Sequence, residues 1–183
     1  TFSETMTTAL LVESALYRVT DKGILRMHRL RHVWDDYTLE DAGYKSLPGR
    51  VYQLLIVDTF MYAGGPGLLT LSVADPFNPV LLNVTAEPGT VYEMRVDGNR
   101  LLCAARQGVF LYDISAGLPQ VLFSGGRMAK TAAVDGDRLA ASDGPSVRVY
   151  LLPGLSVDDP PLAETMPDHP ELVGYPNPFN AAI

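Results

Sequence analysis

The stretch "LLIVDTFMYAGGPGLLTLSVA" (54–74) contains the pattern on which the fold depends. An apolar segment ends at Val57, an acidic turn begins at Asp58, and a second apolar segment runs into the glycine-rich turn 64–67, after which a third segment follows. Short apolar runs bounded by turn residues are typical of buried β-strands. The stretch therefore predicts three antiparallel strands joined by tight turns.

Three further segments repeat this order of strands and turns at a spacing of roughly 40 residues. The four copies span 10–30, 54–74, 93–114 and 131–152. Their first strands lead into the turn through Val12, Val57, Val96 and Val134, and their second turns end at Gly23, Gly67, Gly108 and Ser146. Asp97-Gly98 and Asp135-Gly136 are dipeptides that favour tight hairpins.

A short apolar segment that begins with proline follows the third strand of the second and third copies, at 79–85 and 119–125. These segments predict a fourth strand in the repeat. Four-stranded units of this period are typical of β-propeller blades, which bury their faces against one another. We predict an all-β protein, a β-propeller or propeller-like array of about four antiparallel blades, possibly part of a larger ring. The repeats are expected at about 7–50, 51–90, 91–128 and 129–155. A β-sandwich is the alternative, and the best helical candidate, 37–47, is interrupted by Gly43.

Composition limits the classes of partner. The chain has 183 residues, 47% of them hydrophobic, and a formal net charge of -7. An acidic protein is a poor ligand for nucleic acid or anionic membranes, and no apolar run approaches the roughly 20 residues of a membrane span. Cys103 is the only cysteine, so no disulfide within the chain is possible, and its apolar strand predicts a buried thiol.

The second copy resembles the LVIVD-type repeat of bacterial surface β-propellers. The matching residues are Gly67, Ser72, Val73, Asp75, Pro76, Pro79 and Val80, followed by Val96, Gly98 and Leu101. In the third copy, Asp113, Ile114, Ser115 and Pro119 fall in register. The resemblance implies a surface propeller and brings no catalytic residues with it.

The C-terminal part differs in composition from the repeats. Residues 156–174 are rich in proline and acidic residues, as in an interdomain linker. The following "YPNPFN", which comprises Tyr175, Pro176, Asn177, Pro178, Phe179 and Asn180, resembles the start of the C-terminal sorting domain of type IX secretion. The resemblance implies contact with secretion machinery and a location outside the cell or on the outer surface of a Gram-negative-type bacterium. Because the chain opens at Thr1, we expect a processed chain or a fragment.

Few residues suggest chemistry. His28 and His32 could hold a metal on a helix, but the local pattern favours a strand within a charge cluster. Asp135, Asp137 and Asp143 lack the spacing of a calcium loop and are better explained as hairpin residues. We place four acidic residues in the first turns of the copies: Glu13, Asp58, Asp97 and Asp135. Together they could form a ring at one end of the array and bind calcium weakly.

We therefore predict a non-enzymatic, exported module without a cofactor that binds a protein or glycan or builds a surface assembly. The alternative is a hydrolase or lyase acting on polysaccharide, or a weak calcium-binding module. Trp34, Tyr37 and Tyr44 are placed in an insertion that caps the first blade, although exposed aromatics can also form a recognition surface. Four blades are few for a propeller, so we expect either a closed small ring or a homo-oligomer.

Overall fold

The computed structural model describes residues 5–34 and 36–152, and within them the chain forms β-strands and no helix. The strands pair into four antiparallel sheets, in each of which neighbours in the chain are neighbours in the sheet. The prediction of about four antiparallel blades is confirmed. The predicted linker 156–174 and the sorting motif Tyr175–Asn180 lie outside the described residues.

The strand bounds of the four blades are as follows. Blade 1 contains β1 (Met6–Val12), β2 (Ala15–Thr20), β3 (Ile24–Val33) and β4 (Asp36–Ser46). Blade 2 contains β5 (Gln53–Val57), β6 (Phe60–Gly64), β7 (Leu68–Ser72) and β8 (Val80–Thr85). Blade 3 contains β9 (Val91–Asp97), β10 (Arg100–Ala105), β11 (Gly108–Asp113) and β12 (Gln120–Gly125). Blade 4 contains β13 (Thr131–Asp135), β14 (Arg138–Ser142) and β15 (Val147–Leu151).

The residues after β3 are a strand of blade 1 and not an insertion that caps it. The best helical candidate, 37–47, coincides with β4, which pairs along its length with β3. Gly43, with φ of 118°, lies beside the register shift between Met27 and His28 and takes a backbone conformation that a helix excludes. Cross-strand pairing therefore determines the conformation of this segment.

The blades are held together by apolar cores between consecutive sheets. The first strands lie side by side, β1 beside β5, β5 beside β9 and β9 beside β13. Along the second and third strands of a blade, successive side chains point alternately toward the preceding and the following blade. One core joins blades 1 and 2 through residues such as Tyr17 and Leu71, a second joins blades 2 and 3, and a third joins blades 3 and 4. Among the described residues, no core joins blade 4 to blade 1.

Glycine at the second turn is required by a close backbone approach. A Cβ on Gly23, Gly67 or Gly108 would collide with the carbonyl oxygen of Gly49, Thr85 or Gly125, respectively. Each of these carbonyls lies at or just beyond the end of the fourth strand in the same blade. Blade 4 has Ser146 at the corresponding position, and within the described part of the chain this blade has only three strands.

Two buried tyrosines at blade interfaces differ in how their hydroxyls are paired. The hydroxyl of Tyr62 donates to the carbonyl oxygen of Gly117 at 2.7 Å and so connects blade 2 to a loop of blade 3. Burial, together with the carboxylate of Asp58, raises the pKa of Tyr62 to about 12. The hydroxyl of Tyr112 is buried and has no hydrogen-bond partner among the described residues, and burial raises its pKa further.

We expect Gly108→Ala to lower the free energy of unfolding by about 3 kcal/mol or more, because its Cβ meets the carbonyl of Gly125 and its φ of 148° is strained for other residues. Urea denaturation followed by circular dichroism measures the effect. Gly126→Ala is the matched control, since its Cβ meets nothing within 4 Å; we expect a change within about 0.5 kcal/mol. Equal effects of the two substitutions would contradict the close-approach explanation.

Tyr62→Phe should lower the free energy of unfolding by about 1 kcal/mol, because the Gly117 carbonyl loses its donor. Tyr112→Phe should leave it unchanged or raise it by up to about 1 kcal/mol, because it removes a buried hydroxyl without a partner. Thermal denaturation of both variants against the parent chain checks this difference. A larger loss for Tyr112→Phe than for Tyr62→Phe would show that the hydroxyl of Tyr112 is paired in solution.

Candidate interaction site

The turns between the first and second strands of the blades have a common geometry. Each turn has two residues, 13–14, 58–59, 98–99 and 136–137, between paired strand ends. The first residue of each turn has positive φ: Glu13 51°, Asp58 52°, Gly98 56° and Gly136 57°. Glycine adopts this conformation freely, whereas residues with a Cβ are strained in it.

The prediction that four acids lie in these turns is correct only for Glu13 and Asp58. Asp97 and Asp135 are the last residues of β9 and β13, one position before the turn. Asp97 is also paired, since its carboxylate accepts from Arg100 at 2.8 Å. A second nitrogen of Arg100 donates to the carbonyl of Gly136 at 3.4 Å and so links the turns of blades 3 and 4. The acids therefore do not form a ring of equivalent carboxylates.

Glu13 and Asp58 come together at a cleft of about 220 Å³ between blades 1 and 2. The cleft is also lined by Tyr17, Ser14 and Pro76. Both carboxylates are exposed at its edge, whereas Tyr17 is buried and its pKa is raised by burial and by the carboxylate of Asp75. Small-molecule sites usually exceed about 300 Å³, so the cleft fits a single side chain better than an extended ligand.

The other candidate metal ligands are far apart along their strands. His28 and His32 lie four residues apart on β3, roughly 13 Å at the rise of a strand. His32 packs against Tyr37 with ring centroids 4.9 Å apart. Among residues 5–34 and 36–152, no three His, Cys, Asp or Glu side chains are grouped as a metal site. Cys103 is buried as predicted, and burial raises the pKa of its thiol.

The three predicted calcium candidates are divided between two turns. Asp135 and Asp137 lie at one end of β14, and Asp143 lies at the other end. The carboxylate of Asp143 accepts hydrogen bonds from the backbone N–H and the hydroxyl of Ser146, at 3.2 and 3.0 Å. These bonds close the turn and hold the pKa of Asp143 below its usual value. Asp143 therefore has a structural role in the hairpin.

The most exposed aromatic surface is a two-stranded ribbon formed by the ends of β3 and β4. We call residues 31–34 and 36–40 the ribbon, and all of them are exposed. Trp34, at the tip, has 90% of its surface exposed, and Tyr37 has 64%. An ion pair between Arg31 and Glu40 at 2.8 Å joins the two strands of the ribbon. The ribbon therefore presents aromatic side chains to solvent on a paired backbone.

The base of the ribbon is fixed beside the cleft. The backbone N–H of Leu30 donates to the carbonyl of Ser14 at 2.7 Å, within the first turn of blade 1. The guanidinium of Arg29 lies 4.4 Å from the centroid of the Phe77 ring, next to Pro76. Since Ser14 and Pro76 line the cleft, the ribbon begins beside the cleft that carries the two carboxylates. The sequence indicated the aromatics and the acids, but nothing in it indicated that the ribbon begins beside this cleft.

No protein-family model matches the sequence, and no curated protein matches it. Solved structures do match in fold. The computationally designed Ika4 protein aligns with a TM-score of 0.60 at 14% identity, over 83% of this chain and 94% of that one. The WD40 β-propeller domain of Doa1 aligns with a TM-score of 0.56 at 10% identity, over 82% of this chain and 52% of that one.

The computationally designed Ika8 protein is also similar, with a TM-score of 0.58 at 13% identity. The alignment covers 82% of this chain and 47% of that one, so this chain spans about half the length of Ika8 and of the Doa1 structure. At these identities the likeness establishes the fold alone. The chain has a β-propeller fold, and in the described residues it consists of four blades. Because residues 5–34 and 36–152 form no helix, they contain no helical membrane span.

We expect Asp58→Gly to raise the free energy of unfolding by about 0.5–1 kcal/mol, because glycine relieves the strain of a positive φ. Glu13→Gly should act in the same direction. Chemical denaturation at neutral pH measures both effects. Asp58→Ala is the matched control, since it removes the charge but keeps a Cβ in the strained backbone conformation. If Asp58→Ala stabilises the chain as much as Asp58→Gly, the cause is charge and not backbone strain.

Proposed function

We propose that the chain is a β-propeller interaction module that binds a protein partner and catalyses no reaction. The observation that carries the proposal is the ribbon, whose Trp34 is 90% exposed on a paired and anchored backbone. Exposed Trp and Tyr side chains frequently dominate the binding energy of protein interfaces. A ribbon whose backbone is already paired loses less conformational entropy than a free loop when a partner covers it.

The cleft indicates the chemistry of the partner. Glu13 and Asp58 place two exposed carboxylates at a space that fits a single side chain. A lysine or arginine side chain of the partner can pair with the two carboxylates and is small enough to enter the cleft. We therefore propose that the partner inserts a basic side chain between blades 1 and 2 while Trp34 and Tyr37 pack against the surface around it.

The small volume of the cleft also favours binding over catalysis on polysaccharide. A glycosidase needs two carboxylates on opposite sides of a bound sugar ring, and a cleft of about 220 Å³ leaves little room for a sugar unit between them. Export to the outer surface is the second part of the proposal, and its support is the resemblance of Tyr175–Asn180 to a type IX sorting signal.

The test is site-specific photo-cross-linking in the producing bacterium. With a photoreactive amino acid at position 34, we expect one protein adduct that is reduced at least tenfold by Glu13→Gln combined with Asp58→Asn. The matched control places the same amino acid at Leu122, which is 42% exposed on β12 of blade 3, a blade that does not line the cleft. Protease added to intact cells should digest the chain, and deletion from Tyr175 onward should protect it.

Several results would contradict the proposal. Identical adducts at positions 34 and 122, or no adduct at position 34, would show that the ribbon does not bind the partner. If the double substitution leaves the adduct unchanged, the partner does not bind the two carboxylates through a basic side chain. Release of reducing or unsaturated sugars from envelope polysaccharide by the purified chain, lost in Glu13→Gln, would establish the enzymatic alternative. Protection from protease on intact cells would contradict export.

A further inference from the structure

The first residue of the second strand differs from blade to blade. It is Ala15 in blade 1, Phe60 in blade 2 and Arg100 in blade 3. In each blade this residue is paired across the first turn with the last residue of the first strand. The three residues are therefore equivalent, and comparing them shows how the chain fills one position at three successive interfaces between blades.

Between blades 2 and 3 this position is filled by an aromatic ring. Phe60 packs against the core that joins the two blades. Its ring lies so close to Gly117, in the loop after β11, that a Cβ on this glycine would collide with the ring. The hydroxyl of Tyr62, two residues further along β6, donates to the carbonyl of the same glycine. The ring and the hydroxyl together close the space between β6 and this loop.

Between blades 3 and 4 the same position is filled by a guanidinium. One nitrogen of Arg100 donates to the carboxylate of Asp97 at 2.8 Å. Another donates at 3.4 Å to the carbonyl of Gly136, the first residue of the turn in blade 4. The chain itself therefore shows that an arginine fits this position, with a carboxylate of one blade and the first turn of the next blade as its acceptors.

Between blades 1 and 2 no described residue fills the position. The side chain of Ala15 ends at Cβ, and the cleft of about 220 Å³ lies beside it. Pro76, which follows β7 by four residues as Gly117 follows β11, also lines the cleft. Tyr17, the equivalent of Tyr62, lines the cleft and is only 1% exposed, and its hydroxyl has no hydrogen bond to a described residue. A buried polar group without a partner points to a ligand that supplies one.

The charges at the cleft favour a cation as that ligand. Glu13 and Asp58 are both exposed at its edge, and neither forms an ion pair with a described residue. The guanidinium of Arg29 is placed over the ring of Phe77 instead. Residues 153–183 contain no arginine or lysine, so this part of the chain cannot supply the cation. The two carboxylates are therefore available to a basic group from another molecule.

We propose that the cleft between blades 1 and 2 is an unfilled copy of this position and receives an arginine side chain of the protein partner. The inference rests on the proposed function and specifies the basic residue. A cavity of about 150 Å³ is sufficient for benzene, so a planar guanidinium can enter a cleft of about 220 Å³.

A guanidinium matches the groups at the cleft better than an ammonium does. Its N–H donors lie in one plane and offer partners for the carboxylates of Glu13 and Asp58 and for the oxygen of Tyr17. It is also more weakly hydrated than an ammonium, so it loses less free energy when it leaves water. Arg100 shows the same preference for a carboxylate together with a further oxygen. We therefore expect the site to prefer arginine over lysine.

The test is an NMR titration of the isotope-labelled chain with the capped tripeptide Ac-Gly-Arg-Gly-NH2. We expect saturable shifts of the amide signals of Tyr17 and Asp58, with a dissociation constant about fivefold lower than for the peptide with lysine in place of arginine. Ala15→Phe should weaken binding about tenfold, because a ring fills the cleft as at the next interface. The matched control is Ala116→Phe, the same change at an exposed alanine of blade 3, which should bind as the parent chain does.

A second variant keeps the test valid if Ala15→Phe does not fold. Ala15→Arg places a guanidinium of the chain itself in the cleft, as Arg100 does between blades 3 and 4. We expect a higher melting temperature than that of the parent chain and a loss of peptide binding. The gain in melting temperature should disappear when Glu13→Gln and Asp58→Asn are added, because the guanidinium then has no carboxylate to pair with.

Equal affinity for the arginine and lysine peptides, or tighter binding of a phenylalanine peptide, overturns the inference. So does the absence of saturable shifts up to about 20 mM peptide, or unchanged peptide binding in Ala15→Arg. Photo-cross-linking at position 34 separates this inference from the proposed function. An adduct that is lost in the double carboxylate variant but retained in Ala15→Arg leaves the proposed function intact and removes only the arginine from the cleft. The absence of an adduct in the parent chain contradicts the proposed function itself.

Discussion

The second and third strands of blades 2 and 3 have apolar residues on both faces, and this constraint determines the rest of the architecture. A single sheet of four short strands cannot bury two faces by itself, so each blade depends on its neighbours for the exclusion of water. The three cores between consecutive blades meet that requirement for blades 2 and 3. Among the described residues, blades 1 and 4 each share a core with one neighbouring blade.

The turns add a second constraint, which explains where the blades differ. The first turn of every blade requires a positive φ, and blades 3 and 4 satisfy it with glycine. Blades 1 and 2 have Glu13 and Asp58 instead, at the same cleft and beside the base of the ribbon. Strained residues that persist in a fold often belong to a functional site. The departure from the repeat and the proposed binding site therefore coincide.

The sequence by itself determined the number of blades and the position of their turns, because strand periodicity and turn glycines are local properties of the chain. The valine that leads into each first turn and the glycines at positions 23, 67 and 108 were sufficient for this. It also indicated correctly that Cys103 is buried. It placed Asp97 and Asp135 in the turns, although they end β9 and β13, and it assigned β4 to an insertion.

Only the tertiary structure decided which acids meet, where the base of the ribbon is anchored and which strand residues another blade covers. Glu13 and Asp58 are 45 positions apart and become neighbours because blades 1 and 2 pack together. Val147 and Val109 look alike in the sequence, yet one is exposed and the other is buried. The difference is the presence of a neighbouring sheet, which is a non-local property that no residue pattern encodes.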